Sequence, residues 1–268
     1  MSIITISRGS YSRGKEVAEK VSHALGYECI SRDIILETSE QFNIPEIKLI
    51  RAIHDSPSIL DRFTSGKERY ISFFRAALLI HVQKDNVVYH GLAGQFFLQA
   101  VPHVLKVRII ADLEDRIKEE MRRENISAEK ARQVLVKDDE ERRKWSFYLY
   151  GVDTWDPRLY DIVIYIKNMT VDDAVSIILH SLQRPCFQTT PQGQRMLDDL
   201  KLSAQVEAAL IKDFPKVKAH AKRGEVVVSI RASFIDERAI DAKVRDLTRK
   251  VEGLKTVQVN IVPFIIEE

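Results

Sequence analysis

The segment that most constrains this chain is Gly9-Ser10-Tyr11-Ser12-Arg13-Gly14-Lys15, which has the spacing G-x-x-x-x-G-K. It follows directly on Ile3-Ile4-Thr5-Ile6, an apolar, β-branched run of strand length. From Glu16 to Leu25 the pattern turns helical, with Val17, Val21, Ala24 and Leu25 on one face. Strand, glycine-bounded loop and helix in that order are what a phosphate-binding loop requires. Its backbone N–H groups and the start of the helix would supply donors and positive potential to phosphate oxygens, with Lys15 reaching the terminal ones. The Ser or Thr that usually follows the lysine to ligate Mg²⁺ is Glu16 here, and Arg13 adds charge and bulk to the loop.

The whole chain suits a soluble globular protein with room for two domains. With 268 residues it can bury a sizeable core, and 45% hydrophobic against 30% charged residues describes a globular protein. Lys+Arg 41 against Asp+Glu 39 leaves +2, a balance that gives no electrostatic reason to expect a nucleic-acid or membrane partner. No apolar run approaches the roughly eighteen residues of a membrane span. The N-terminus lacks the charged-then-apolar order of a signal segment, so a cytoplasmic location is expected. Two cysteines, Cys29 and Cys186, form no disulfide framework, and Cys29 falls in an expected strand as a small hydrophobe.

Strand and helix then alternate. After Gly26, Tyr27–Ile30 reads as a second strand, with Ser31-Arg32-Asp33 at its C-terminal end, where ligands bind in doubly wound sheets. Helices are expected over Ile34–Phe42, Pro45–Ile53 and Lys67–Gln83, separated by His54–Pro57 and Thr64–Gly66. Val87–His90 is a third strand, and Val104–Ala111 a fourth, its apolar run interrupted by Lys106 and Arg108. A charged helix runs to Glu124, a second starts at an N-capping Ser127, and Tyr160–Ile166 is a fifth strand followed by the amphipathic Thr170–Leu182. Residues 1–183 thus predict an α/β domain, a parallel five-stranded sheet with helices on both faces. Residues 184–195, with Pro185, Pro191 and Gly193, read as a linker. Residues 196–268 predict a small αββαβ module: helix Met196–Phe214, strands Val217–Ala221 and Val226–Ala232, helix Asp236–Val251 and strand Val257–Ile266.

The first 183 residues resemble the cytidylate-kinase-like branch of the P-loop nucleoside monophosphate kinases. The matching residues are Ile4-Thr5-Ile6-Ser7-Arg8 before the loop, Gly14-Lys15-Glu16 within it and Leu25-Gly26-Tyr27 after the first helix. Asp139-x-x-Arg142 followed by Trp145, Tyr148 and Tyr150-Gly151 is similar to that family's mobile lid, and Tyr160-Asp161 matches at the last strand. The resemblance implies transfer of the γ-phosphoryl group of ATP, with Mg²⁺, to a nucleoside monophosphate such as CMP or dCMP. It assigns Lys15, Arg142 and Asp139 to catalysis and Gly9, Ser12, Arg13, Gly14, Lys15 and Glu16 to the ATP site.

Two positions depart from the family pattern. Gly91-Leu92 stands where Gly-Arg usually grips the acceptor phosphate, and Ser31 stands where an aspartate is usual. Asp33, Arg75, His90 and Arg143 are the candidate acceptor ligands, with Arg51 a further arginine of the helical insertion. The C-terminal module resembles a BON domain in its αββαβ order, in the turn at Arg223-Gly224-Glu225 and in Val251-Glu252-Gly253-Leu254-Lys255-Thr256-Val257. That resemblance implies a phospholipid or small hydrophobic ligand, or docking to an assembly. A packing module that mediates dimerisation is the alternative reading. For the whole chain, the alternative to an enzyme is a degenerate kinase fold that binds nucleotide and reports it.

Overall fold

A computed structural model describes residues 2–10, 12–31, 33, 35, 65–232 and 236–263. The helices expected over Ile34–Phe42 and Pro45–Ile53, together with Arg51, fall outside the described residues apart from Ile35. The chain divides into two compact units, the first built largely from residues 1–37 and 84–190, the second including 58–83 and 191–268.

In the first unit, β1 (Ile3–Arg8), β2 (Glu28–Ser31), β3 (Val87–His90), β4 (Val104–Ala111) and β5 (Ile162–Ile166) form one sheet in the order β2-β3-β1-β4-β5. All of its pairings are parallel. β1 is central because Ile3, Ile4 and Ile6 are each fully buried, which a strand covered on both faces requires. Its neighbours lie in register, with Ile6 opposite His90 on one side and Val107 on the other.

Alternation along the strands separates two faces. Ile4, Ile6, Val88, Val107 and Ile109 pack with α1 (Gly14–Leu25) and α6 (Val171–Leu182) in one apolar core. Thr5, Ser7, Arg108 and Tyr89 take the opposite parity and so the other face. There α3 (Gly94–Phe97) comes close, and a Cβ on Gly94 would sit 2.6 Å from the Tyr89 ring. Between β4 and β5, α4 (Leu113–Glu124) and α5 (Ala128–Tyr150) pack through Ile117, Ala131 and Leu135. Asp112 and Ser127 cap these two helices with their side chains, as the sequence predicts for Ser127.

The second unit holds α2 (Gly66–Val82), α7 (Pro191–Leu210), α8 (Glu237–Thr248) and a sheet ordered β6 (Lys218–Lys222), β7 (Glu225–Arg231), β8 (Thr256–Val262). The β6–β7 pair is antiparallel and β7–β8 parallel, giving the expected αββαβ order. The helix read from Met196 begins five residues earlier, at Pro191, because proline's fixed φ and missing N–H suit a first helical position. α2 packs along α7, with Tyr70 and Phe74 stacked on its buried face. The β6–β7 turn needs Gly224 (φ +89°), where a Cβ would press to 3.0 Å on the Gly253 carbonyl.

Arg75 of α2, expected at an acceptor site, lies in the second unit. Its guanidinium pairs with Glu207 of α7 at 2.9 Å. The same carboxylate accepts the Ala219 N–H at 3.0 Å, so Arg75 is part of this unit's packing.

Candidate functional site

The site grows from the β1–α1 bend. The Gly9 N–H donates to the Ile109 carbonyl at 3.2 Å, which fixes the exit of β1 against β4. Ser12 is fully buried beneath the loop, its hydroxyl 3.0 Å from both the Gly9 and Ile109 carbonyls. Arg13 turns the chain in the left-handed region (φ 62°) and provides no side-chain cap, which leaves the first amides of α1 for an external acceptor. Gly14 is required by close approach, because a Cβ there would lie 2.6 Å from that of Arg8. Lys15 is exposed and only 3.6 Å from Glu19, a loose pair that leaves its ammonium free to swing. Glu16 points to solvent and pairs with Lys20 at 3.6 Å.

This loop opens onto a cleft of about 1060 Å³ within the first unit. Of the residues assigned to catalysis, Lys15, Asp139 and Arg142 all line it, as does Gly9 of the loop. Asp33 and His90 line the wall formed by the tips of β2 and β3, beside Leu92 and Cys29. Arg143 does not line the cleft. Its guanidinium forks Asp153 at 3.0 Å and stacks 4.6 Å over the Trp155 ring. Each partner stabilises the other's charge, raising the Arg143 pKa and lowering that of Asp153.

The lid-like helix α5 touches the loop directly. Asp139 Oδ1 accepts the Ser10 N–H at 2.9 Å, and its other oxygen accepts from Arg116 of α4 at 2.8 Å. A carboxylate of the chain itself therefore occupies one of the loop's donors, held there by a buried guanidinium. His90 is buried, and its Nδ1 has no hydrogen-bond partner among the described residues. Burial, reinforced by the positive charge of Arg8, lowers its pKa to about 4, so the ring is neutral near pH 7. Burial likewise raises the pKa of the Cys29 thiol, which keeps it protonated.

Sequence reasoning did not identify Arg108, Arg116, Thr154 or Trp155 as cleft residues. The available signal was the charge of Arg108, which with Lys106 interrupts the apolar run of a central strand. Among the described residues no helix is long and apolar enough to cross a membrane, and no group of three His, Cys, Asp or Glu could hold a metal.

Residues 3–168 match the cytidylate kinase-like family. The chain belongs to that family. A cytidylate kinase of Sulfolobus acidocaldarius is 26% identical over 182 residues, spanning 68% of this chain and 94% of that protein. A cytidylate kinase of Methanosarcina acetivorans is 38% identical over 88 residues, which span 32% of this chain and about half (48%) of that relative. Among solved structures, an uncharacterized protein from Eubacterium ventriosum superposes with a TM-score of 0.54 at 20% identity. It covers 69% of this chain and all of that one, a likeness of fold.

Two outcomes follow from this geometry. Asp139→Ala removes the acceptor from the Ser10 amide, so inorganic tripolyphosphate should bind about fivefold tighter by calorimetry, the worth of one net hydrogen bond. Unchanged or weaker binding would contradict the competition. For His90, the unfolded chain takes up a proton near pH 6.5 and the native ring only near pH 4, so stability falls as pH drops through that window. Urea titrations at several pH values should show a shallower acid decline for His90→Asn than for wild type. Parallel pH curves would contradict the neutral buried ring.

Proposed function

We propose that the first unit is an ATP-dependent nucleoside monophosphate kinase acting on CMP or dCMP. The observation that carries this reading is the continuity of one cleft from Lys15 and the loop, past the β2–β3 tips, to Asp139 and Arg142 on α5. Phosphoryl transfer needs two ligands held in line and cations on the transferring oxygens, and a single cleft lined from both sides suits that demand.

The loop fits the phosphates of ATP. Its first-turn amides have no side-chain cap, Gly14 keeps the backbone close to Arg8, and Lys15 has the reach to contact terminal oxygens. Mg²⁺ would arrive on those phosphates and neutralise part of their charge, in a cleft whose lining includes the carboxylates of Glu19, Asp33 and Glu141. Asp139 leaves Ser10 when phosphate arrives, which frees Arg116 to face the nucleotide. Arg142 closes with α5, and excluding water strengthens every one of these contacts. Trp145, 6% exposed on α5, keeps the base of this helix packed while its cleft-lining side chains move.

A regulatory, non-catalytic nucleotide binder is the second reading. It is favoured by Leu92, which offers no charge at the acceptor wall, and by the internal carboxylate on the loop. The αββαβ unit is carried as a BON-like ligand-binding or docking module, supported by its element order and by the left-handed Gly253 (φ +84°) leading into β8.

Turnover separates the two readings. Wild type should release ADP from Mg–ATP only when CMP or dCMP is present, and Lys15→Ala should lower kcat at least a hundredfold, the scale of losing one charge-stabilising donor. ATP should raise the melting temperature of wild type and not that of Lys15→Ala. ATP binding with no acceptor-dependent turnover would replace the enzyme with the regulator.

A further inference from the structure

Arg108 is nine-tenths buried in the middle of the sheet, at 9% exposure, yet it lines the cleft. Its Nη1 donates to the Thr154 carbonyl and to the Tyr160 hydroxyl, the latter at 3.2 Å, and its guanidinium lies 5.5 Å from the Tyr160 ring centroid. Tyr160 is itself fixed, donating to the Thr154 carbonyl at 2.9 Å and lying 3.3 Å from the Ser7 hydroxyl. These partners are all neutral. Among the described residues no carboxylate lies within ion-pair distance of Arg108. Asp153, the acid that feels its charge through space, is already forked by Arg143. A buried cation without a counterion is costly unless something completes it.

Its position indicates what completes it. Arg108 is in register with Ser7, on the sheet face opposite α1. The loop amides and Lys15 approach the cleft from the α1 side. An anion at Arg108 therefore meets the loop-bound phosphates from across the strand ends, where a second substrate must sit for in-line transfer. The opposite wall offers neutral His90 and apolar Leu92, with Arg8, on the α1 face of β1, the cation nearest that ring.

We propose that Arg108 binds the phosphate of the acceptor, a nucleoside monophosphate, and makes the site selective for phosphorylated over free nucleosides. The proposal rests on the kinase reading above. Arg108 is pre-set for this by Tyr160 and Thr154, which hold one edge of the guanidinium and leave the other for a two-point grip on phosphate.

The experiment compares CMP with cytidine. Calorimetry in the presence of a non-hydrolysable ATP analogue should show wild type binding CMP at least a hundredfold more tightly than cytidine. In Arg108→Gln that ratio should fall at least tenfold while the affinity for Mg–ATP stays within about twofold, the scale of one charged hydrogen-bonding partner. Arg108→Lys keeps the charge and loses the planar fork. It should give an intermediate ratio, and it is the deciding variant if the glutamine form melts well below wild type. Equal weakening of CMP and cytidine would assign Arg108 a purely structural role, and a loss that falls on ATP would assign it to the loop-bound nucleotide. Either result overturns the proposal. If wild type binds Mg–ATP but neither CMP nor cytidine, the acceptor assignment fails and the nucleotide site stands. If it binds no ATP, the kinase reading fails with it.

Discussion

The structure depends on how tightly β1 can be turned into α1. Arg8 and Gly14 are stacked so closely that no side chain fits on Gly14, and the buried Ser12 hydroxyl bridges the loop to β4. Both constraints pull the first turn of α1 over the end of the central strand. The amides at that turn have no side-chain cap of their own, so the fold presents a concentrated positive potential at the mouth of the cleft. The placement of the other cleft residues follows from this bend. β3 and β4 flank β1, and their C-terminal tips deliver His90, Leu92 and Ala111 to the same opening.

The charge around that opening is balanced by the chain itself, but unevenly. On the α5 side Asp139 satisfies a loop amide and Arg116 at once, a compact arrangement that resembles the contacts a phosphate oxygen would make. On the other face Arg108 has hydrogen bonds and, among the described residues, no counter-charge. A closed internal pair on one side and an incomplete cation on the other suit a site that exchanges its own carboxylate for one ligand and waits for a second. The neutral His90 at the tip of β3 adds a polar ring without adding a charge.

Much of this architecture was legible in the sequence, for a definite reason. The strands of a parallel sheet buried on both faces are short apolar runs, and β1, β3 and β4 stand out as such with boundaries close to those found. The loop carries its own spacing, and Asp139 and Arg142 fall on the helix that the sequence starts at Ser127. What could not be read was partnership across space. Arg75 sits in a helical stretch between strands of the first unit, and nothing local shows that α2 packs along α7 and commits that arginine to Glu207. Arg143 is one residue from Arg142, but on a helix one residue turns the side chain by about 100°, enough to send it to Asp153 and Trp155. Arg108 was visible as a charge inside an apolar strand. Its meaning depends on Tyr160, fifty-two residues away in sequence, and on the absence of any described carboxylate beside it.

The central claim is that main-chain donors at the β1–α1 bend hold the phosphates of a nucleotide. Amide hydrogen exchange, residue by residue, with and without Mg–ATP tests it most directly. The account predicts slowed exchange concentrated at Gly14 through Glu16, as external oxygens take up donors that the fold leaves available. Protection elsewhere in the first unit with these amides unchanged would contradict it.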